Sequence, residues 1–492
     1  MEEISIRLKN YSMLDIDCSR GVAQELSEHF SFYVPGYKFM PTYRNKVWDG
    51  KIRLFNSMTG EISAGLYNQI LKFASQRNYT TAIQDNPQYG SPADTNKVSE
   101  FRSWLDIEEK TSLPFAPRNY QEEAAKIALK SSRAILLSPT GSGKSFIIYL
   151  IMKYYMTMTP EKGKILIIVP TTSLVEQMYK DFKDYGWNVS QYCHRIYSGR
   201  EKTNENPVTI TTWQSIYKLK RPFFKDFEVV IGDEAHLFKS KSLISIMTKM
   251  DAAKYRFGFT GTLDGTQTHK WVLEGLFGPS YKVTQTKELI DKGHLSKLQI
   301  HILILKHKPR KFEVYEEELQ HIITHQKRNN FIKNLVLDLK GNTLVLFSRV
   351  ETHGQPLYEL INNSIQNDRK VFYVHGGVDA EERERIREIT ETERNAIIVA
   401  SYGTFSTGIN IKNLHNVIFA SPSKSRIRNL QSIGRVLRKG DSKTQAVLYD
   451  IADDITHLSR RNYTLNHLIE RIKIYNEEKF NYEIVQIDLG EK

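Results

Sequence analysis

Cysteine, membrane-length apolar runs and internal repeats are scarce or missing in this 492-residue sequence. Its two cysteines, Cys18 and Cys193, stand far apart and in no metal-ligand spacing. That excludes a disulfide scaffold and a zinc cluster and fits a reducing compartment. The longest apolar runs, such as Ile165 to Val169, are strand-length and too short to cross a bilayer. The opening MEEISIRLKN is acidic and polar rather than charged and then apolar, so no secretory signal or membrane association is expected and the expected location is the cytoplasm. No low-complexity tract or short-period repeat suggests a fibre or a solenoid.

Positive charge is plentiful: 69 Lys and Arg oppose 56 Asp and Glu, a formal net charge of +13. Such an excess suits either a solvated surface or attraction to nucleic acid or anionic lipid. Its distribution is more telling. Residues 1–110 hold 13 basic and 14 acidic side chains, whereas 424–443 hold seven basic and one acidic, so the excess is local. With 40% hydrophobic residues, the chain has the length for about three domains of roughly 150 residues, each able to bury a core.

Texture divides the chain into 1–98, 99–282 and 283–492. The first part is dense in aromatics between Phe30 and Phe55 and ends in a polar stretch, Gln84 to Lys97, that reads as a linker. In the second, short apolar runs (Ala134 to Leu137, Ile165 to Val169, Val208 to Ile210, Val229 to Ile231) alternate with helical patterns, the signature of a doubly wound parallel sheet. The pattern returns in the third at Thr343 to Phe347, Val371 to Val374, Ala396 to Ala400, Val417 to Phe419 and Ala446 to Tyr449. Between them the strand-like LQIHILIL, inside the basic stretch Lys282 to Lys311, either begins the third part or bridges the two.

Three constellations carry chemistry. Ser138-Pro139-Thr140-Gly141-Ser142-Gly143-Lys144-Ser145 follows an apolar run and precedes a helical pattern, the setting of a phosphate-binding loop. In such a loop the glycines let backbone N–H groups curl around phosphates, Lys144 reaches the β and γ phosphates, and the Ser145 hydroxyl sits on Mg²⁺. Ser138 stands where a first glycine is usual. Asp233-Glu234-Ala235-His236 follows Val229 to Ile231, so its carboxylates emerge at the ligand-binding end of a buried strand. Asp233 suits the metal, Glu234 suits the base that activates water, and His236 would sense that chemistry. Gln431-Ser432-Ile433-Gly434-Arg435-Val436-Leu437-Arg438 places two arginines three apart, expected on one helix face, where they could serve as arginine fingers.

These three pieces, in this order and split between two α/β domains, resemble the core of a superfamily 2 helicase of the DExH type from about Phe115 onward. The resemblance implies two tandem RecA-like domains behind a small α+β amino-terminal domain, with ATP and Mg²⁺ as cofactors. Arg118-Asn119-Tyr120-Gln121 resembles the Q motif, in which Arg118 and Gln121 would meet the adenine. Thr260-Gly261-Thr262 resembles motif III, coupling hydrolysis to movement through Thr260 and Thr262. Pro170-Thr171-Thr172, Thr211-Thr212-Trp213-Gln214, Phe347-Ser348-Arg349 and Ser401 to Asn410 resemble motifs Ia, Ic, IV and V. Thr171, Thr172, Thr211, Thr212, Ser348, Arg349 and Ser401 would then hold the phosphates of one strand, and Gly408 and Gln431 the nucleotide. Asn410 stands where many relatives carry Asp.

The resemblance reaches into the amino-terminal part through Gly36-Tyr37-Lys38-Phe39, Tyr43-Arg44-Asn45 and Val47 to Leu54, matching a phage branch of the superfamily. It implies DNA as partner, with branched DNA or R-loops as substrate: forks regressed, Holliday junctions migrated, R-loops unwound, in recombination, repair and replication inside the host bacterial cytoplasm. In that segment Asp49-Gly50 reads as the tip of a hairpin joining Val47-Trp48 to Lys51 to Phe55. Lys51 and Arg53 would share a strand face and, with Lys38, Arg44 and Lys46, form a phosphate-binding face. Trp48, Tyr37 and Tyr43 read as core rather than as base-stacking residues. Leu66, Ile70 and Phe73 have helical spacing and are expected beneath the sheet. An RNA helicase, a general duplex translocase and a strand-annealing factor share these features and stay open as alternatives.

Overall fold

A computed structural model describes residues 2–34, 36–84, 95–158, 163–197, 199, 202, 205–263, 266–366, 369–408, 411, 413–439, 443 and 445–490. Most of the expected linker, at 85–94, and Asn410 lie outside the described residues. The chain forms two compact units: Met1–Ser138 with Gly143–Val283, and Thr284–Lys492 with Pro139–Ser142.

The first unit opens with β1 (Glu3–Asn10), β2 (Met13–Asp17), β3 (Ser31–Tyr33), β4 (Lys51–Arg53), β5 (Phe55–Asn56), β6 (Glu61–Ser63) and β7 (Thr80–Gln84). Five of these form a mixed sheet in the order β5-β6-β2-β1-β7, while β3 and β4 pair apart from it. Alternation sends Ile4, Ile6, Leu14 and Ile16 to one buried face. Two helices cover that face. Arg20–His29 contributes Val22 and Leu26 and begins at Ser19, whose hydroxyl accepts the Val22 N–H. Tyr67–Gln76 contributes Ile70 and Phe73, and Leu66 just before it is also buried, as the spacing predicts.

Two expectations for this part are corrected. The hairpin at Asp49-Gly50 does not form: β4 pairs antiparallel with β3, and residues 41–44, shortly before Val47, are helical. Asp49 instead accepts the Lys51 N–H and binds the Arg53 guanidinium, while Gly50, at φ 82°, packs where a Cβ would collide with the Tyr37 ring. Tyr37, Tyr43 and Trp48 are also not core. They lie on a partly exposed outcrop, and the core is built from the sheet and its two helices.

The same unit continues with β8 (Arg133–Leu137), β9 (Lys164–Val169), β10 (Cys193–Ile196), β11 (Val208–Thr212), β12 (Phe227–Asp233), β13 (Tyr255–Thr260) and β14 (Ser280–Lys282). Their order is β10-β11-β9-β12-β13-β8-β14, with every pair parallel. Both faces are covered, so Ile165, Ile167 and Val169 point into one apolar layer and Leu166 and Ile168 into the other. Each such side chain contributes about 1.5–3 kcal/mol of burial. The small amino-terminal sheet is welded on. Trp271, from the helix Gln267–Phe277, inserts into its core with ring centroids 5.2 Å from Phe30 and 5.1 Å from Phe32.

The second unit holds β15 (Lys297–Lys306), β16 (Thr343–Phe347), β17 (Val371–Val374), β18 (Ile397–Ser401), β19 (Asn416–Phe419), β20 (Gln445–Asp454) and β21 (Tyr482–Asp488). They form a second parallel sheet ordered β17-β18-β16-β19-β20-β15-β21. LQIHILIL therefore lies inside this sheet, as β15, its first strand in chain order, after the helix Thr286–Asp291. Two buried ion pairs brace it: Arg328 with Asp453 at 2.7 Å and Arg471 with Asp450 at 2.8 Å. The fold is two tandem RecA-like doubly wound sheets preceded by a small α+β domain. Among the described residues no helix is long and apolar enough to cross a membrane.

Candidate functional site

The glycine-rich loop leaves the carboxyl end of β8 and enters the helix Lys144–Met158. Gly141 and Gly143 adopt φ of 85° and 78°, a left-handed conformation that glycine reaches without strain, and the Ser142 hydroxyl donates to the Pro139 carbonyl at 2.7 Å. Gln121 closes the loop from outside. It begins the helix Asn119–Ser131 in a capping box, its side-chain oxygen accepting the Arg118 N–H at 2.9 Å, and its amide nitrogen rests so close to Gly143 that a Cβ there would collide with it. Arg118 reaches the Tyr120 hydroxyl at 3.0 Å.

Asp233 ends β12, two strands from β8 in the same sheet, so both motifs emerge at one edge. Lys144 Nζ lies 2.7 Å from Asp233 Oδ1 and 3.1 Å from Glu234 Oε1. Burial by itself would lower the Lys144 pKa, but the two carboxylates outweigh it and hold the ammonium charged. Burial pushes the Asp233 carboxyl up, opposed by Lys144. Glu234 sits in the left-handed region, at φ 50° and ψ 51°, with its N–H given to Asp233 Oδ1 at 2.8 Å. That turn carries the chain from strand to short helix and aims the Glu234 carboxylate along the edge.

His236 continues the chain of contacts. Its Nδ1 is 3.3 Å from Glu234 Oε2 and 3.0 Å from Thr260 Oγ1. The Thr260 hydroxyl donates to the Thr262 carbonyl at 3.0 Å, so it accepts from the ring, which places the proton on Nδ1. Lys144, Asp233, Glu234, His236 and Thr260 thus form one polar relay, although 116 positions separate its ends. Ser145 opens the helix beside Lys144.

The residues expected to meet nucleic acid are scattered in character. Thr171 caps the helix Thr172–Asp184 by accepting the Leu174 N–H, and Thr172 is exposed at its start. Thr211 is fully buried, its hydroxyl donated to the Ile196 carbonyl, whereas Thr212 ends β11 and shares a 2.9 Å hydrogen bond with Ser215. In the second unit Ser348 and Arg349 are exposed beyond β16, with Arg349 2.6 Å from Glu316. Ser401 ends β18 and caps the helix Tyr402–Gly408. Gln431 and Arg435 lie on the helix Arg426–Val436, with Arg435 over the Phe405 ring.

Arg438 requires a correction. The helix ends at Val436, so the two arginines do not share a helical face. The buried Lys443 Nζ donates to the Val436 and Arg438 carbonyls just past the helix end, where the chain turns. On the outcrop, Arg53 is bound to Asp49, and Lys38, Arg44 and Lys46 are exposed. Residues that sequence reasoning missed include Ser421 and His353. Ser421 Oγ accepts the Ser348 N–H at 3.0 Å and lies 2.9 Å from His353 Nδ1. No spacing pattern announces that arrangement.

A phosphate loop and an acidic pair at one edge of a RecA-like sheet, followed by a second such sheet, define a helicase acting on nucleic acid. Family models agree: "DNA helicase UvsW, N-terminal" matches residues 3–84, "Type III restriction enzyme, res subunit" matches 114–265, and "Helicase conserved C-terminal domain" matches 326–440. The ATP-dependent DNA helicase uvsW of Enterobacteria phage T4 is 36% identical, covering 99% of this chain and 100% of that one. A crystal structure of T4 UvsW superposes with a TM-score of 0.52 at 35% identity, over 99% of this chain and 100% of that one. A DNA 3'-5' translocase, XPB2 of Sulfurisphaera tokodaii, is 26% identical over 73% of this chain and 89% of its own. The chain belongs to the UvsW family of helicases.

Proposed function

We propose that the chain is an ATP-driven DNA motor that remodels branched DNA, regressing forks, migrating four-way junctions and unwinding R-loops in phage recombination, repair and replication. The relay from Lys144 through Asp233, Glu234 and His236 to Thr260, which links the phosphate loop to the end of β13, supports the ATP-driven part of this reading, and the full-length similarity to the T4 DNA helicase supports the DNA part. In this reading the parts are 1–98, 99–282 and 283–492, with the first supplying branch recognition.

Each group has a task. Arg118 and Gln121 meet the adenine, while Thr140, Gly141, Ser142 and Gly143 give backbone N–H groups to the phosphates, and the family pattern assigns Gly408 and Gln431 to the nucleotide as well. Lys144 leaves the carboxylates for the β and γ phosphates. Ser145 and Asp233 offer the hard oxygen donors that suit Mg²⁺, which when bound offsets phosphate charge. Glu234 orients water in line with the γ-phosphate and takes its proton, and Arg435 and Arg438 stabilise the charge as the phosphoryl group departs. His236 and Thr260, with Thr262 beside them, pass the change in Glu234 to the strand end. Thr171, Thr172, Thr212, Ser348, Arg349 and Ser401 grip phosphates and read no sequence. Work is done when grip on the strand depends on nucleotide state.

Steady-state ATP hydrolysis tests the substrate class. A synthetic fork or four-way junction should stimulate turnover more than a linear duplex of equal length or a single-stranded RNA. Equal stimulation by linear duplex would point to a general translocase, and preference for RNA to an RNA helicase.

A further inference from the structure

The outcrop between residues 31 and 55 is built unlike the rest of the amino-terminal domain. Two of its aromatics are turned outward, Tyr33 at 53% and Phe39 at 76% exposed, with Val47 and Ile52 exposed beside them, while Tyr37, Tyr43 and Trp48 are half-buried. Tyr33 and Tyr37 stack with centroids 4.6 Å apart at 25°, and Tyr43 meets Tyr37 edge-on at 4.7 Å. The ladder is held from behind. The Trp48 indole N–H donates to the Lys51 carbonyl at 2.9 Å, and Gly50 leaves room for the Tyr37 ring. Cations ride on the same rings, with Lys51 Nζ 5.0 Å from the centre of Tyr33 and Lys38 Nζ 5.9 Å from that of Tyr37.

Charge completes the picture. Residues 31–55 carry five basic side chains and one acidic, Asp49, which is bound to Arg53. Exposed aromatic faces beside cations suit one chemistry above others, a nucleobase stacking on a ring while its phosphates meet ammonium or guanidinium groups. A paired base has both faces covered by its neighbours, so only an unpaired one can use the ladder.

We propose that Tyr33 and Phe39 form a stacking platform for unpaired DNA bases at a branch point, with Lys38, Arg44, Lys46 and Lys51 holding the adjoining phosphates. This rests on the DNA-motor reading and adds to it the feature of branched DNA that is recognised. The platform binds the few bases exposed where strands part and leaves continuous duplex to the rest of the protein.

The test uses the full chain and a fork carrying 2-aminopurine, whose fluorescence falls on stacking, at an unpaired position beside the branch. Wild type should quench the probe. Tyr33→Ala with Phe39→Ala should lose the quenching and bind the fork about tenfold more weakly, with affinity for fully paired duplex unchanged. Phe39→Trp should retain quenching, which separates stacking from a folding defect. Undiminished quenching and fork affinity in the double variant would overturn the proposal, as would equal losses on fork and duplex. ATP hydrolysis stimulated by saturating fork, read on wild type, isolates the motor: its absence counts against the motor reading and not against the platform.

Discussion

Lys144 bridges to Asp233 at 2.7 Å, so the lysine that defines the phosphate loop is held by the acidic motif of a strand two places away in the sheet. Glu234 lies beside it at 3.1 Å and keeps its second oxygen toward His236. The carboxylates hold the ammonium in place, and in the proposed mechanism nucleotide phosphates compete for it. Replacing Glu234 with Gln keeps the size and removes the carboxylate proposed as the base. Glu234→Gln is expected to bind ATP normally and to hydrolyse it about 10²- to 10⁴-fold more slowly, measured as nucleotide affinity against single-turnover rate. Normal turnover in this variant would remove Glu234 from the base role.

Gly143 faces two constraints that can be separated. Its φ of 78° disfavours any L side chain, at about 1–2 kcal/mol, and a Cβ would strike the Gln121 amide. Gly143→Ala should lower both stability and ATP affinity. Adding Gln121→Ala should recover the collision but not the backbone strain, leaving part of the loss in a thermal-melt double-mutant cycle. Strictly additive losses would show that the two residues do not interact.

Trp271 belongs to the helix Gln267–Phe277, between strands of the first parallel sheet in the chain, yet sits in the core of the amino-terminal domain. Truncating it removes a large ring from between Phe30 and Phe32, so Trp271→Ala should destabilise the junction by about 3–5 kcal/mol. Limited proteolysis should then release the first hundred residues or so faster than from wild type, while ATP binding persists. An unchanged cleavage pattern would contradict the weld.

His353 is buried against Ser421, and burial, with Arg328 nearby, lowers its pKa to about 3. Unfolded, the ring takes a proton near the ordinary 6.5. Between those values the unfolded chain binds the proton and the folded chain does not, so stability falls as pH drops through that window, by up to about 1.4 kcal/mol per pH unit. Above it the effect is gone. His353→Gln should flatten this part of the profile, read as the difference in urea midpoint between wild type and variant at pH 4.5 and 7. Parallel profiles would show that the ring titrates normally.

Legibility followed locality. The phosphate loop, the Asp233-Glu234 pair and the strands that carry them were readable because each is a contiguous run in a strand-to-helix setting. Strand β13 was not: YRFGFT holds an arginine mid-strand, and only the fold shows why that is tolerated. Arg256 is buried with its guanidinium given to the Ala253, Met247 and Met250 carbonyls and to Ser12. Strand β21 was missed because it is a mostly exposed edge strand whose alternation is weak. The relay through His236 to Thr260 and the contact of Gln121 with Gly143 join residues far apart in the chain. The reading of Tyr37, Tyr43 and Trp48 went wrong for a different reason: in a small domain an aromatic is ordinarily core, and nothing in their spacing marks them as part of a half-exposed outcrop.

The most direct measurement of the central claim is ATP-dependent remodelling of a synthetic fork and a four-way junction, resolved as strand products, beside a tailed duplex of equal pairing length. Wild type should convert the branched substrates with ATP, and far faster than it opens the tailed duplex, and Lys144→Ala should convert none of them. Remodelling that survives in Lys144→Ala would contradict a motor and leave an annealing factor. A tailed duplex opened as readily as the fork would contradict branch specificity.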